Sequence, residues 1–435
     1  MSKSKKNINY GCQQNLVSNY NIAEETRLFD VLEFICLEAN KLTNCGIYYA
    51  RQLYFRTGKL INKFSLDAQY KDNLHYKALF SQSAQQALFS VFESFKSYRE
   101  LKAKYDKGDL EDKPRLPNYR TKGGMAVVSY PKQHLKLING SIRIPLGQTV
   151  KRWFGIDSFL LPMPTNIDFQ EIKEMRVLPR NKHFYIEFVY PLKLQTNQLD
   201  INQALGIDPG LNNWLTCVST LGQSFIIDGL HLKSMNQWYN KTISKLQELG
   251  LLGSKRFYSV VEKRNRQVRD AVNKAARIVI NHCLNNGIGT IVFGWNKGQK
   301  QEISIGRVNN QKFTIVPTAR LKKRIQQLAS ANGIRFEETE ESYTSIASFL
   351  DGDLLPKFGE KPEGWKSSGK RIHRGLFKTA KNWLVSADAQ AAANILRKVA
   401  TTLGLDLVRV GRGTLTTPAR IKLWNTYYQF TSETK

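Results

Sequence analysis

The chain has 435 residues, of which 41% are hydrophobic, and its formal net charge is +29 because 65 Lys and Arg outnumber 36 Asp and Glu. This length supports two or three domains with packed cores, and so large a surplus of positive charge indicates a polyanionic partner such as nucleic acid. No apolar run approaches the roughly 20 residues of a membrane span, and the five cysteines form no CxxC pair, so we expect a cytoplasmic protein without a disulfide framework or a structural zinc.

The chain begins with a polar, basic segment, residues 1–23, and continues into a predicted helical region, residues 24–106. Apolar residues recur at near-helical spacing over residues 24–59 and again over residues 79–105, which predicts two helices that face a core. The second helix also carries three glutamines that can contact a ligand or simply be solvated: Gln82, Gln85 and Gln86.

The middle region, residues 107–193, changes character. Residues 107–124 are rich in Gly, Pro and charge, which predicts a linker or a long functional loop. Short runs of β-forming residues follow, and residues 175–191 contain two such runs separated by three polar residues, the pattern of a hairpin. We expect this region to form a small β-barrel.

The remaining chain has an α/β pattern, in which strands alternate with long helices. The predicted strands are residues 205–208, 214–219, 223–228, 289–294 and 333–338. The predicted helices are residues 235–249, 257–286 and 319–332, with a last one opening near residue 386. We expect a nuclease domain over residues 194–350 and 382–435, interrupted by a basic insert, residues 351–381.

Three acidic positions stand out in this basic chain: Asp208 after an apolar strand, Asp388 in the first turn of the last helix, and a glutamate cluster after the strand 333–338. Each position alone has an ordinary role in a turn, at a helix N-terminus or on a solvated surface. Together they form an oxygen-rich set that Mg²⁺ or Mn²⁺ prefers, and two such ions can promote phosphodiester cleavage.

The motifs that carry these acids resemble a known family. Residues 205–216 (LGIDPGLNNWLT) and 386–398 (SADAQAAANILRK) resemble the first and third RuvC motifs of TnpB, a transposon-encoded relative of type V CRISPR effectors. Further segments match in order, from QSAQQAL and KPRLPNYR upstream to EKRNR, WNKGQKQ, ESYTS and SGKRIHRGLF between the two motifs. The resemblance extends over most of the chain from about residue 79 onward.

The resemblance implies a ribonuclease H-like RuvC domain, a wedge β-barrel and an N-terminal helical recognition region. It implies two partners, a guide RNA and a target double-stranded DNA that carries a short adjacent motif. Carried over residue by residue, Asp208 matches the first catalytic acid and Asp388 the last. The activity that it implies is RNA-guided, metal-dependent cleavage of DNA.

Two departures from the family pattern bear on that activity. The usual second acid ends the strand 289–294, but this chain has Gly294 there, and the usual zinc ribbon after YTS contains no cysteine here. We predict that Glu341 replaces the missing acid, because the strand 333–338 should lie beside the strand 289–294. Glu340 and Glu302 are the alternatives.

Other functions remain open from the sequence. If no acid replaces the one lost at Gly294, the protein is a guided DNA-binding repressor that does not cut. A stand-alone RuvC nuclease would not need the large region before residue 205. A transcription factor is also disfavoured, because the chain has no C₂H₂ zinc finger or leucine zipper.

Overall fold

The computed structural model of the protein describes residues 10–17, 24–192, 195, 197–296, 317–373 and 375–424. The chain divides into two compact units, Met1–Leu192 and Lys193–Lys435. In the part of the chain that the structure describes, no helix is long and apolar enough to cross a bilayer.

The first unit combines helices with two sheets around one core. Its helices are α1 (Glu24–Thr57), α2 (Lys63–Tyr70), α3 (Leu74–Ala78), α4 (Ser81–Asp106) and α5 (Gln148–Phe154), with 3₁₀ turns at Lys132–His134 and Phe169–Glu171. Its strands are β1 (Tyr10–Leu16), β2 (Val128–Pro131), β3 (Lys136–Ile138), β4 (Ser141–Pro145), β5 (Ser158–Pro162), β6 (Glu174–Arg180) and β7 (His183–Pro191). The long helices α1 and α4 pack on each other, as their apolar spacing predicts.

The strands of this unit differ from the expected barrel. They form two open sheets in the described residues, one in the order β1-β7-β6-β2 and the other in the order β3-β4-β5. The predicted hairpin is confirmed as β6 and β7, whose turn residues Asn181 and Lys182 both have positive φ, as a tight hairpin requires. Strand β1 lies within the expected basic segment 1–23 and pairs antiparallel with β7, which local composition did not indicate.

The predicted linker contains no helix or strand and lies along α1. Asn44 accepts a hydrogen bond from the Arg120 backbone N–H at 2.8 Å and donates to the Arg120 carbonyl at 3.1 Å. Arg51 donates to the Pro117 carbonyl at 2.8 Å and stacks over the Tyr119 ring. These contacts satisfy backbone groups that an irregular segment would otherwise leave unpaired.

The second unit has the predicted α/β pattern. Its helices are α6 (Leu230–Glu248), α7 (Lys255–Asn285), α8 (Thr318–Ala331), α9 (Ala387–Leu403) and α10 (Arg412–Thr416). Its strands are β8 (Asp200–Pro209), β9 (Asn213–Ser219), β10 (Ser224–Asp228), β11 (Ile288–Gly294), β12 (Arg335–Thr339), β13 (Lys370–His373), β14 (Leu376–Lys378), β15 (Leu384–Ser386) and β16 (Ala419–Ile421). The strands β13, β14 and β15 form a small antiparallel sheet.

The main sheet of this unit has the order β12-β11-β8-β9-β10-β16. β8, β9 and β10 are antiparallel neighbours, whereas β11 and β12 run parallel to β8. One face packs on α7 and α8 through residues such as Leu205 and Ile207, and the other packs on α9 through Ala204 and Val292. Because side chains alternate along a strand, Asp208 belongs to the face that α9 covers.

Helix α9 approaches this face very closely at Gly206. A Cβ at that position would lie 2.6 Å from the Ala392 carbonyl oxygen and 2.6 Å from Leu396 Cγ. Any larger residue would push the helix away from β8. The close contact determines how far the first turn of α9, which carries Asp388, lies from the end of β8.

Candidate active site

Asp208 lies at the end of β8, where the strand meets the turn at Pro209. Burial raises the pKa of Asp208 well above its ordinary value, and the charges of Glu341 and Asp388 raise it further, while Arg371 opposes the shift. The carboxyl group therefore lies among other anions. This is the electrostatic signature of a site that favours bound cations.

Glu341 occupies the space above Gly294. A Cβ at Gly294 would lie 2.9 Å from Glu341 Cγ, 3.0 Å from Glu341 Oε1 and 2.5 Å from Ile395 Cδ1. In the sheet, Gly294 pairs with Thr339 while its neighbour Phe293 pairs with Ile207, so Gly294 lies between the ends of β8 and β12. Burial raises the pKa of Glu341 to about 7.

The other glutamates of the cluster are neutralised by basic partners. The ion pairs are Glu337 with Arg335 at 2.7 Å, Glu338 with Lys322 at 2.7 Å, and Glu340 with Lys398. Burial raises the pKa of Glu340, but its bonds to Lys398 and Ser342 outweigh that effect and lower it. Within the described residues, Glu341 has no Lys or Arg at ion-pair distance.

Hydrogen bonds from two directions fix the turn that carries Glu341. The Glu341 backbone N–H donates to Asn296 Oδ1 at 2.9 Å, directly after β11. From α9, Asn394 donates to the carbonyl of Thr344 at 2.9 Å, and both Asn394 and Gln390 donate to that of Ala347, at 2.8 and 3.1 Å. The Asn394 and Gln390 side chains are fully buried, so the turn and the helix form one rigid arrangement.

Asp388 lies one residue into α9, which Ser386 caps by accepting a hydrogen bond from the Ala389 N–H at 3.3 Å. Asn213 donates to Asp388 Oδ2 at 2.6 Å, and Arg371 donates to Asp388 Oδ1 at 3.4 Å. Asn213 in turn accepts from Arg420, which also pairs with the buried Asp228 at 2.7 Å. Asp388 is thus held by polar contacts on both oxygens.

The three carboxyl groups lie near one another but do not form a compact cluster. Asp208 is affected by the charges of Glu341 and Asp388, yet no group of three His, Cys, Asp or Glu side chains in the described residues is arranged to hold a metal. Mutual repulsion keeps carboxylates apart unless a cation neutralises them, and Arg371 and Asn213 hold Asp388 instead. The donor set consists of hard oxygens only and fits a divalent ion such as Mg²⁺.

Part of the chain matches a model of a known protein family. Residues 187–299, which include Asp208 and Gly294, match the OrfB_IS605 family, described as a probable transposase. The resemblance to TnpB is confirmed. No curated protein sequence matches the chain.

Two solved structures match this chain, and they do so to different degrees. A protein described as the "Cas12f1-sgRNA-target DNA complex" is 14% identical, with a TM-score of 0.53, and the match covers 86% of this chain and 83% of that one. A "CRISPR-Cas12f Ternary Complex" is 16% identical over 86% of this chain and 81% of that one, with a TM-score of 0.34. The first match shows that the two proteins share a fold.

The predicted acids belong to the second unit. Asp208, Glu341 and Asp388 lie around the end of β8, beneath the start of α9. Glu302 lies outside the described residues. Gln85 donates to Asp67 at 3.2 Å and Gln82 accepts from Ser81 at 2.8 Å, both within the first unit.

Sequence reasoning missed the polar side chains that position these acids. They are Asn213, Asn296, Arg371, Gln390 and Asn394. All five stand within the TnpB-like segments quoted above, and Gln390 is two residues after Asp388. The sequence does carry one sign of them, which is the presence of amide side chains on the apolar face of α9. A buried amide needs a hydrogen-bond partner, so these residues point to a contact with another segment.

Proposed function

We propose that this chain is the RNA-guided DNA endonuclease of a transposon, which cuts target DNA in a RuvC-like site that depends on divalent metal. The observation that carries the proposal is the position of Glu341, whose carboxyl group fills the space over Gly294 and affects the ionisation of Asp208. A carboxyl group is therefore present at the place where the family has its second acid and this chain has Gly294. Without a replacement for that acid, the loss at Gly294 would favour a protein that binds without cutting.

The fold supports this proposal. The sheet order β12-β11-β8-β9-β10, with three antiparallel strands followed by two parallel ones, is the arrangement expected of a ribonuclease H-like domain. We assign residues 194–350 and 382–435 to this RuvC-like domain. We assign residues 24–106 to recognition and residues 107–193 to a wedge, whose described strands belong to two open sheets.

Asp208, Glu341 and Asp388 are the proposed ligands of Mg²⁺ or Mn²⁺, two ions in all. When bound, the ions supply stabilisation of the attacking and departing oxygens in phosphodiester hydrolysis. The protein supplies the rest: α9 presents Asp388, the turn held by Asn394 presents Glu341, and Asn213 orients the Asp388 carboxylate. Because burial and mutual repulsion raise the pKa of Asp208, binding of a cation releases protons from this cluster.

The partners we propose are a guide RNA and a double-stranded target. The net charge of +29 supplies the attraction to phosphates, and the structurally similar Cas12f1 protein is described in complex with sgRNA and target DNA. Base pairing with the guide would select the target, and the first unit would contact the short adjacent motif.

The test is purification of the chain from cells that express its own locus, followed by sequencing of the RNA that copurifies. The reconstituted complex should cut DNA that matches the guide only when Mg²⁺ or Mn²⁺ is added. The Asp208→Asn/Asp388→Asn double variant is the control, since it should still copurify with the RNA. A discrete RNA with no cutting would indicate a guided repressor, and cutting without any RNA would indicate a stand-alone nuclease.

A further inference from the structure

The insert, residues 351–381, has no cysteine to hold a metal. Hydrogen bonds to two neighbouring carboxylates nevertheless connect its separate stretches. Two carboxylates, Asp351 and Asp353, bind donors from three separated stretches of this region. We call the set Ser348, Asp351, Asp353, Ser367 and Ser368 the Asp–Ser clasp. Its geometry shows how an insert can be ordered without zinc.

Asp353 joins the beginning of the insert to its middle. Its carboxylate accepts hydrogen bonds from the Ser348 N–H at 2.7 Å, from the Ser367 hydroxyl at 3.0 Å, and from the Ser368 N–H and hydroxyl at 3.1 and 2.5 Å. Burial raises the pKa of Asp353, but these hydrogen bonds outweigh that effect and lower it. The ionised form therefore has enough donors around it at neutral pH.

Asp351 joins the same point to the end of the insert. Its Oδ2 accepts from the Ser348 hydroxyl at 2.6 Å, from the Ser368 hydroxyl at 3.3 Å and from the Ala380 N–H at 2.8 Å. The clasp is also attached to α9, because Arg397 donates to the Asp353 carbonyl at 2.6 Å. The two carboxylates thus hold the beginning, the middle and the end of the insert together.

The clasp lies a short distance along the chain from the candidate active site. Gly369 and Lys370 alone separate Ser368 from Arg371, which is in ion-pair contact with Asp388. Gly369 has no room for a side chain, since a Cβ there would lie 2.5 Å from Phe377 Cε1 and 2.6 Å from the Lys378 carbonyl oxygen. The start of β13 is therefore held on one side by the clasp and on the other by β14.

We infer that Asp351 and Asp353 are positioning residues, which order the insert without any metal and keep Arg371 beside Asp388. The ordering itself stands on the hydrogen bonds alone. Its consequence for cutting rests on the proposed function. The two parts therefore need separate measurements.

The first measurement is hydrogen exchange by mass spectrometry on the full chain, in the wild type and in the Asp351→Asn/Asp353→Asn variant. The amides of Ser348, Ser368 and Ala380 should exchange at least about tenfold faster in the variant, because each loses a charged acceptor. Glu360→Gln/Glu363→Gln removes two exposed acids from the same insert and should leave these amides unchanged.

Chelation and metal analysis distinguish ordering by the clasp from ordering by a bound metal ion. Incubation of the wild type with EDTA or phenanthroline should leave exchange at the three amides unchanged, and the purified protein should contain no stoichiometric zinc. Faster exchange after chelation would overturn the inference. Equal exchange in the wild type and the Asp351→Asn/Asp353→Asn variant would overturn it as well.

The second measurement is guided cleavage under single-turnover conditions. Asp353→Asn should lower the cleavage rate about tenfold and leave the Kd for target DNA unchanged. If the clasp acts through Arg371, Asp353→Asn should slow cleavage little further in an Arg371→Ala background, since the contact is already lost. Fully additive losses would overturn the positioning role. If the wild type never cuts, the proposed function fails, and the exchange data still decide the clasp.

Discussion

Glu341 carries its carboxyl group into the space that a side chain at Gly294 would fill, with its Cγ 2.9 Å from the position of a Cβ there. A side chain at position 294 and the Glu341 side chain therefore cannot occupy this space together. The glycine at the end of β11 leaves room, and the glutamate after β12 places one carboxyl group in that room at the edge of the sheet. The predictions on catalysis follow from this exchange of positions.

An exchange of the two residues tests the relationship directly. Glu341→Gln should reduce cleavage at least about 100-fold, because loss of a ligand should cost no less than loss of an outer partner. Gly294→Glu alone should destabilise the fold through its clashes with Ile395 and Glu341, whereas Gly294→Glu/Glu341→Ala removes the second clash and should recover part of the activity. Cleavage rates and melting temperatures of the four proteins measure this. Glu340→Gln is the matched control, and a dead Glu340→Gln beside an active Glu341→Gln would show that the wrong glutamate was chosen.

Substitution of Asp208 or Asp388 by Asn should abolish cutting and preserve guided binding. Each side chain is a proposed metal ligand, and neither is needed to hold the RNA or the DNA. We expect a loss of at least about 100-fold in the cleavage rate with an unchanged mobility-shift titration. Asp270→Asn, which changes an exposed acid of α7, serves as a control outside the site. Normal cutting by either variant would remove that residue from the site.

Burial of Asp208 and Glu341 should lower the stability of the metal-free protein at high pH. The pKa values of Asp208 and Glu341 are raised in the folded state, so ionisation costs stability, and that cost grows as pH rises from the ordinary carboxyl range through about 7. At alkaline pH without metal, Glu341→Gln should raise the Tm by roughly 2–4 °C for each ~1 kcal/mol of relief. Mg²⁺ should stabilise the wild type and not the variant. Glu337→Gln, which removes a paired acid, should give no gain.

Metal activation should depend on pH. Because burial raises the pKa of Glu341 to about 7, a proton competes with the cation below that pH. The Mg²⁺ concentration for half-maximal cleavage should therefore fall as pH rises from about 6 to about 8, and saturating Mg²⁺ should shift the activity profile toward acid. A metal requirement that is constant across this range would contradict the competition.

Affinity for the guide RNA should fall steeply with salt. Each phosphate that the basic surface neutralises releases counterions, with a slope of about −0.7 per contact for single strands. Six contacts would weaken binding roughly 100-fold or more between about 50 and about 200 mM salt. Filter binding over this range measures the slope, and Asp208→Asn should leave it unchanged. A flat response would mean that electrostatics contribute little to binding.

The sequence by itself determined much of the second unit. Apolar runs at the right period predicted β8, β11, β12 and the helices between them, because strands and helices that face one core reveal their periods locally. The acids at the ends of these elements were visible for the same reason. The choice of Glu341 over Glu340 rests on its position directly before the family-like segment SYTS.

Only the tertiary structure decided which acids share a face. The register of β8, β11 and β12 and the close approach of α9 at Gly206 set the distances among Asp208, Gly294 and Glu341. The basic partners that neutralise Glu338 and Glu340 come from other helices, Lys322 from α8 and Lys398 from α9. The pairing of β1 with β7 and the clasp of Asp353 with Ser368 are long-range contacts as well. Such contacts depend on which segments the folded backbone brings together, and the spacing of residues along the chain carries no record of them.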